Sequence, residues 1–140
     1  MSLVLDSSVA LGWCFEDQHT AAMKLVLQQV VEAGALAPQL WPLEVLNALL
    51  AAQRRRRLDA AGRREVLALL YRLPIAIDPD TATHVWSATQ AIAESHDLAA
   101  YDAAYLELAM RLGLPLATLD RKLATAAGKV GVPLLLSEVP

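Results

Sequence analysis

Cysteine is nearly absent: the 140-residue chain has one, Cys14. No internal disulfide can form, and Cys14, between Trp13 and Phe15, reads as a small buried hydrophobe rather than a nucleophile. Histidine is almost as scarce. His19, His84 and His96 show no metal-ligand spacing, so nothing points to zinc. Excess positive charge is missing too. Twelve Lys and Arg face fifteen Asp and Glu, for a net charge of −3. The chain as a whole is therefore not a polyanion binder, and any nucleic-acid contact needs a local patch or a bound cation. Long uncharged apolar runs are also lacking. The most apolar region, around Ala35 to Ala52, is interrupted by Pro38, Gln39, Pro42, Glu44 and Asn47, which excludes a membrane-spanning helix there. Met1-Ser2 leads into the first apolar run with no basic start, so no signal peptide is expected and a cytoplasmic location is. Repeats and low-complexity linkers are absent.

What is present is aliphatic. Apolar residues make up 56% of the chain, above the usual share, which leaves material for a second buried surface such as a dimer or partner interface. The length suits one domain, residues 1–140, with a full core. Leu3 to Leu5 reads as a strand buried on both faces, being continuous aliphatics rather than alternation. Short helical patterns follow over Val9 to Phe15 and His19 to Ala33, the latter ended by Gly34. Ala35 to Ala37 forms a second strand. Trp41 to Arg57 is a helix with Pro42 in its first turn. Asp59 caps another helix running to Arg72, and Ile75 to Ile77 is a third strand. Asp80 or Thr81 opens a helix to about Ser95, and a loop spans His96 to Ala100. Tyr101 to Leu112 is a helix ended by Gly113. Leu116 to Leu119 is a fourth strand, Arg121 to Ala127 a short helix closed by Gly128, and Leu134 to Leu136 a candidate fifth strand. Such alternation predicts an α/β fold with a parallel sheet covered by helices on both faces.

Four acids lie in apolar surroundings at element ends or on helices: Asp6 after the first strand, Glu44 and Asp102 in first turns of helices, and Asp120 after the fourth strand. Each has a plain structural reading. Asp6 and Asp120 can cap the helices that follow, and Glu44 and Asp102 can complement helix dipoles. Taken together they form a pattern. The segments VLDSSVALGW (Val4 to Trp13), APQLWPLEVLNAL (Ala37 to Leu49), YDAAYLELA (Tyr101 to Ala109) and PLATLDRKLATAA (Pro115 to Ala127) resemble, in order and spacing, the PIN-domain ribonucleases. Within these the chain is most similar to the VapC-type toxins of toxin–antitoxin pairs, and the resemblance covers essentially the whole chain.

The resemblance implies a three-layer α/β/α sandwich with a sheet of about five parallel strands in the order 3-2-1-4-5. It brings Asp6, Glu44, Asp102 and Asp120 to one cleft, as catalytic and metal-holding residues. It makes Ser8 and Thr118 supporting hydroxyls and Asn47, one turn beyond Glu44, a supporting amide. Crowded carboxylates repel by roughly 3 kcal/mol per pair at ~5 Å and an effective dielectric of ~20, so something positive must neutralise them. Oxygen-only ligands suit Mg²⁺ or Mn²⁺. The implied activity is hydrolysis of RNA by metal-activated water, leaving 5′-phosphate and 3′-hydroxyl ends. The implied partners are RNA, a VapB-type antitoxin and a second copy of the chain. Some relatives carry a further acid where Arg121 and Lys122 stand here, which leaves open whether one metal or two is bound. The basic run Arg54, Arg55, Arg56 and Arg57 reads either as a solvated helix end or as an RNA-backbone patch. Two rival functions remain at this level. One is a housekeeping PIN-domain RNA-processing nuclease. The other is a phosphate-transfer domain, which the absence of a second acid beside Asp6 disfavours.

Overall fold

The computed structural model describes residues 2–15 and 20–136. Its centre is β1 (Leu3–Leu5), whose three side chains are completely buried. β2 (Ala35–Ala37) pairs with β1 on one side and β4 (Leu116–Ala117) on the other, and β3 (Ile75–Ile77) lies outside β2. All pairings are parallel, giving the order β3-β2-β1-β4 among the described residues. The expected fifth strand shrinks to a single parallel bridge between Leu134 and Leu116. Helices flank this sheet in a PIN-like α/β/α arrangement. β1 is enclosed because it has neighbours on both edges and aliphatics on both faces. β3 is an edge strand, and Ala76 and Ile77 are exposed, so the expectation of full burial fails at this edge.

The helices are α1 (Ser7–Cys14), α2 (Ala21–Ala33), α3 (Trp41–Arg54), α4 (Ala60–Arg72), α5 (Thr81–His84), α6 (Gln90–His96), α7 (Ala100–Leu112) and α8 (Arg121–Lys129). Thr20 caps α2 by accepting from the Met23 N–H, and the expected start at His19 lies outside the described residues. Gly34, at φ +80°, ends α2 in a conformation that costs glycine little. Asp59 caps α4 through the Gly62 N–H, as expected. Several boundaries differ from expectation: α1 begins at Ser7 rather than Val9, α7 begins at Ala100 rather than Tyr101, and β4 ends at Ala117 rather than Leu119. α3 stops at Arg54 because Arg56 turns to φ +61°, ending the ladder before Arg57. A π-helical turn, Val85–Thr89, separates α5 from α6 in what periodicity presents as one helix. Gly128 lies within α8, which runs one residue past it.

The chain builds β1, β2 and β3 outward in one direction, then returns to the far side of β1 for β4. That reversal opens a crevice at the carboxyl ends of β1 and β4, the position where open α/β sheets take ligands. The Asp6 N–H donates to the Ala117 carbonyl at 3.0 Å, so the two strand ends are locked together there.

Candidate active site

Asp6 occupies the N-cap position of α1 but its side chain caps nothing. Its carboxylate, on a residue only 4% exposed, accepts two hydroxyl hydrogen bonds through Oδ2, from Ser8 at 2.6 Å and Thr118 at 2.7 Å. Ser8 Oγ in turn accepts from the Leu119 N–H, and Thr118 Oγ1 accepts from the Asp120 N–H, each at 3.0 Å. The two hydroxyls thus meet at one carboxylate oxygen and tie the ends of β1 and β4 into one unit. Burial pushes the Asp6 carboxyl above the usual range. The two hydroxyl bonds oppose that rise, and the charges of Glu44 and Asp120 add to it.

Glu44 reaches the site from the first turn of α3. Its Oε1 accepts from the hydroxyl of Tyr105 at 2.5 Å and of Ser7 at 3.4 Å. Asn47 was expected to support Glu44 but is exposed and makes no hydrogen bond to it among the described residues. One helical turn brings the two residues to the same side of α3, yet the interior donor is on α7. Tyr105 was not identified from the sequence. The available signal was its position three residues after Asp102, which puts both on one face of α7. Tyr105 is fully buried, the usual setting in which a tyrosine hydroxyl must find a polar partner.

Asp102, in the first turn of α7, has no hydrogen bond to its carboxylate among the described residues. Desolvation raises its pKa to about 6, followed by the charges of Asp120, Asp6 and Glu44, with Lys122 pulling the other way. These mutual influences establish that all four acids share one neighbourhood. Asp120 does act as a cap: its Oδ1 accepts from the Lys122 N–H at 2.9 Å and the Leu123 N–H at 3.1 Å. The cap uses one oxygen, and among the described residues Oδ2 accepts no hydrogen bond.

No three acidic, histidine or cysteine side chains among the described residues stand close enough to form a ready-made metal site. The acids are neighbours rather than the tight cage that crowded carboxylates would make. Asp6, Glu44 and Asp120 are each held by donors of their own. The donor set still fits a hard divalent ion, being carboxylate oxygen throughout. Mg²⁺ in particular takes one or two carboxylates directly and keeps several waters. The basic run is elsewhere. Arg54 lies ten positions beyond Glu44, roughly 15 Å along the α3 axis, and Arg57 packs over the Phe15 ring at 4.6 Å.

Comparison with known proteins gives a consistent result. A family model described as PIN domain matches residues 3–129. Ribonuclease VapC3 of Pyrobaculum aerophilum is 31% identical over 124 residues, covering 89% of this chain and 93% of that protein. The crystal structure of PAE2754 from Pyrobaculum aerophilum superposes with a TM-score of 0.70 at 21% identity, covering 99% of this chain and 93% of the other. That of FitAcB from Neisseria gonorrhoeae superposes with a TM-score of 0.65 at 18% identity, covering 96% of each. No helix among the described residues is long and apolar enough to cross a membrane.

Proposed function

The chain belongs to the PIN-domain family, and from that premise we propose that it is a VapC-type endoribonuclease toxin dependent on Mg²⁺ or Mn²⁺. The observation that carries this reading is Asp6. It is a buried carboxylate that caps nothing, held by Ser8 and Thr118 at the crevice between β1 and β4, beside three further acids. A fold that serves only stability gains nothing from keeping such a group there.

Asp6, Glu44, Asp102 and Asp120 are the residues that would hold the ion. Bound there, it supplies a water of lowered pKa and charge neutralisation at the phosphate. The chain does the positioning. Ser8 and Thr118 keep Asp6 Oδ2 facing the strand ends and leave Oδ1 for the crevice. Tyr105 and Ser7 occupy Glu44 Oε1 and so fix the direction of Oε2. The α8 cap pins Asp120 Oδ1. Cleavage of the bond from the 3′-oxygen to phosphorus leaves a 3′-hydroxyl and a 5′-phosphate. An antitoxin and a second copy of the chain belong to the same reading. Exposed apolar side chains such as Leu43 and Tyr71 are surface for such partners to cover.

The test is cleavage of a labelled RNA with Mn²⁺, with EDTA, and with Asp6→Asn, Glu44→Gln, Asp102→Asn and Asp120→Asn. EDTA and each substitution are expected to lower the rate by about 100-fold or more. Cleavage undiminished in EDTA overturns the metal mechanism. A folded variant cleaving at the wild-type rate removes that acid from the site.

A further inference from the structure

The acids that would hold a cation also repel the phosphates of a substrate, so a strand approaching them needs positive charge close by. The chain's cations are unevenly placed. Arg111 is committed to a buried ion pair, and the run from Arg54 begins roughly 15 Å from Glu44 along its helix. Arg121 and Lys122 instead follow Asp120 directly, and the Lys122 N–H is bonded to the Asp120 carboxylate. Arg121, Lys122, Thr125 and Lys129 are all exposed and share one face of α8 at helical spacing. With His96 and Asp97 they line a shallow depression of about 480 Å³. The Lys122 ammonium lies 3.5 Å from Asp97. Both groups are exposed, so this pair is worth little and can be exchanged for a phosphate.

Next to Asp102 in the first turn of α7 is Tyr101, 66% exposed. Exposure alone means little here, since Tyr71 and Trp86 are more exposed still. The juxtaposition is what separates Tyr101 from them. It directly precedes Asp102, whose carboxyl feels the charges of Asp120 and Lys122 at the start of α8. An open aromatic face beside a cationic track accepts an unpaired base and its backbone. A duplex keeps its bases stacked inside and offers no base face.

We propose that Tyr101 and the basic face of α8, Arg121 with Lys122 and Lys129, form the rim on which an unpaired RNA strand lies as it enters the acid site. This inference rests on the nuclease reading above. Tyr101 stacks a base next to the cleaved linkage, and the α8 cations hold the phosphates beyond it.

Fluorescence anisotropy of a labelled 20-nucleotide unstructured RNA in EDTA, where the divalent ion needed for cleavage is removed, reads binding separately from activity. Arg121→Glu/Lys122→Glu is expected to raise Kd at least about tenfold. Because it removes two phosphate-neutralising charges, it should also flatten the slope of log K against log salt by about 1.4. Tyr101→Ala is expected to raise Kd by about tenfold with the salt slope unchanged, and Tyr101→Phe to restore wild-type affinity. Melting curves establish that each variant is folded. Affinities within twofold of wild type for both variants, a loss confined to Arg54→Glu/Arg55→Glu, or tighter binding of a 20-base-pair duplex would overturn the rim while leaving cleavage by the wild type intact. A wild-type protein that neither binds nor cleaves RNA would overturn both the rim and the nuclease reading.

Discussion

Two groups of buried and half-buried acids sit in this small fold, and they are treated in opposite ways. Asp78, after β3, and Glu107, on α7, are each 4% exposed. Arg111 answers both, reaching Asp78 Oδ2 at 2.6 Å and Glu107 Oε2 at 2.8 Å. Burial pushes the Asp78 carboxyl up, but Arg111, the Asp80 N–H and the Thr81 hydroxyl outweigh it and hold the pKa below the ordinary value. Asp6 is equally buried, yet its polar neighbours are hydroxyls and other acids, and its pKa is raised. A structural acid carries its counter-charge within the chain. Among the described residues no cation is paired with the acids of the crevice, and in the function proposed above a bound ion would supply that charge. Asp78 anchors β3 to α7, and its Oδ1 also accepts from the Asp80 N–H at 3.1 Å.

The contrast can be broken most forcefully at Arg111. Arg111→Met leaves two buried carboxylates unanswered and is expected to destabilise the fold by about 3–5 kcal/mol in urea unfolding at pH 7. A loss below about 1 kcal/mol would mean that the ion pair does not hold this corner.

The crevice should respond with the opposite sign. Asp120→Asn removes one repelling charge and keeps an equally good cap. In EDTA at pH 7 it is expected to stabilise the protein by about 1 kcal/mol, discounted for the partial exposure of the site. Asp120→Ala loses the cap as well and should lie about 1 kcal/mol below Asp120→Asn. Millimolar Mn²⁺ should reverse the order of wild type and Asp120→Asn, since the ion stabilises whichever native state binds it better. Thermal melts with and without the ion decide the matter, and a destabilised Asp120→Asn in EDTA would make the cap the whole role of Asp120.

The finest test is pH. Asp102, at about 6 in the native state, stays protonated where the unfolded chain, with a carboxyl near ~3.9, has ionised. Its contribution is thus unfavourable to the fold as pH rises from about 4 to about 6. Asp78 runs the other way. Its lowered pKa stabilises the fold above about 4, and that stability is lost as pH falls through the native value. In EDTA, Asp102→Asn should gain on wild type between pH 4.5 and 7, whereas Asp78→Asn should lose ground as pH rises from 3 to 5. Parallel pH profiles for the two variants would erase the distinction between the clusters.

Much of this was legible in the chain. The run Leu3-Val4-Leu5, the caps at Asp59 and Asp120, and the stop at Gly34 are local facts, set by aliphatic continuity, side-chain acceptors and a glycine's backbone. Ser8 and Thr118 were picked out by the family resemblance. The π turn at Val85–Thr89 stayed hidden because periodicity averages over one inserted residue. Tyr105 stayed hidden because its partner Glu44 is 61 positions away, and Arg111 because its two acids come from different elements.

By itself, then, the sequence determined the alternation of short strands and helices, the lack of any internal disulfide, and which acids stand where helices begin. Those properties depend on neighbours within a few residues. Only the tertiary structure decided which acids are answered by a cation and which are not. It set Arg111 between Asp78 and Glu107, Tyr105 against Glu44, and Asp6 beside Thr118 across the paired ends of β1 and β4. Charge compensation depends on distance in space, and these partners meet only when α7 packs against the elements before it and β4 returns to the far side of β1.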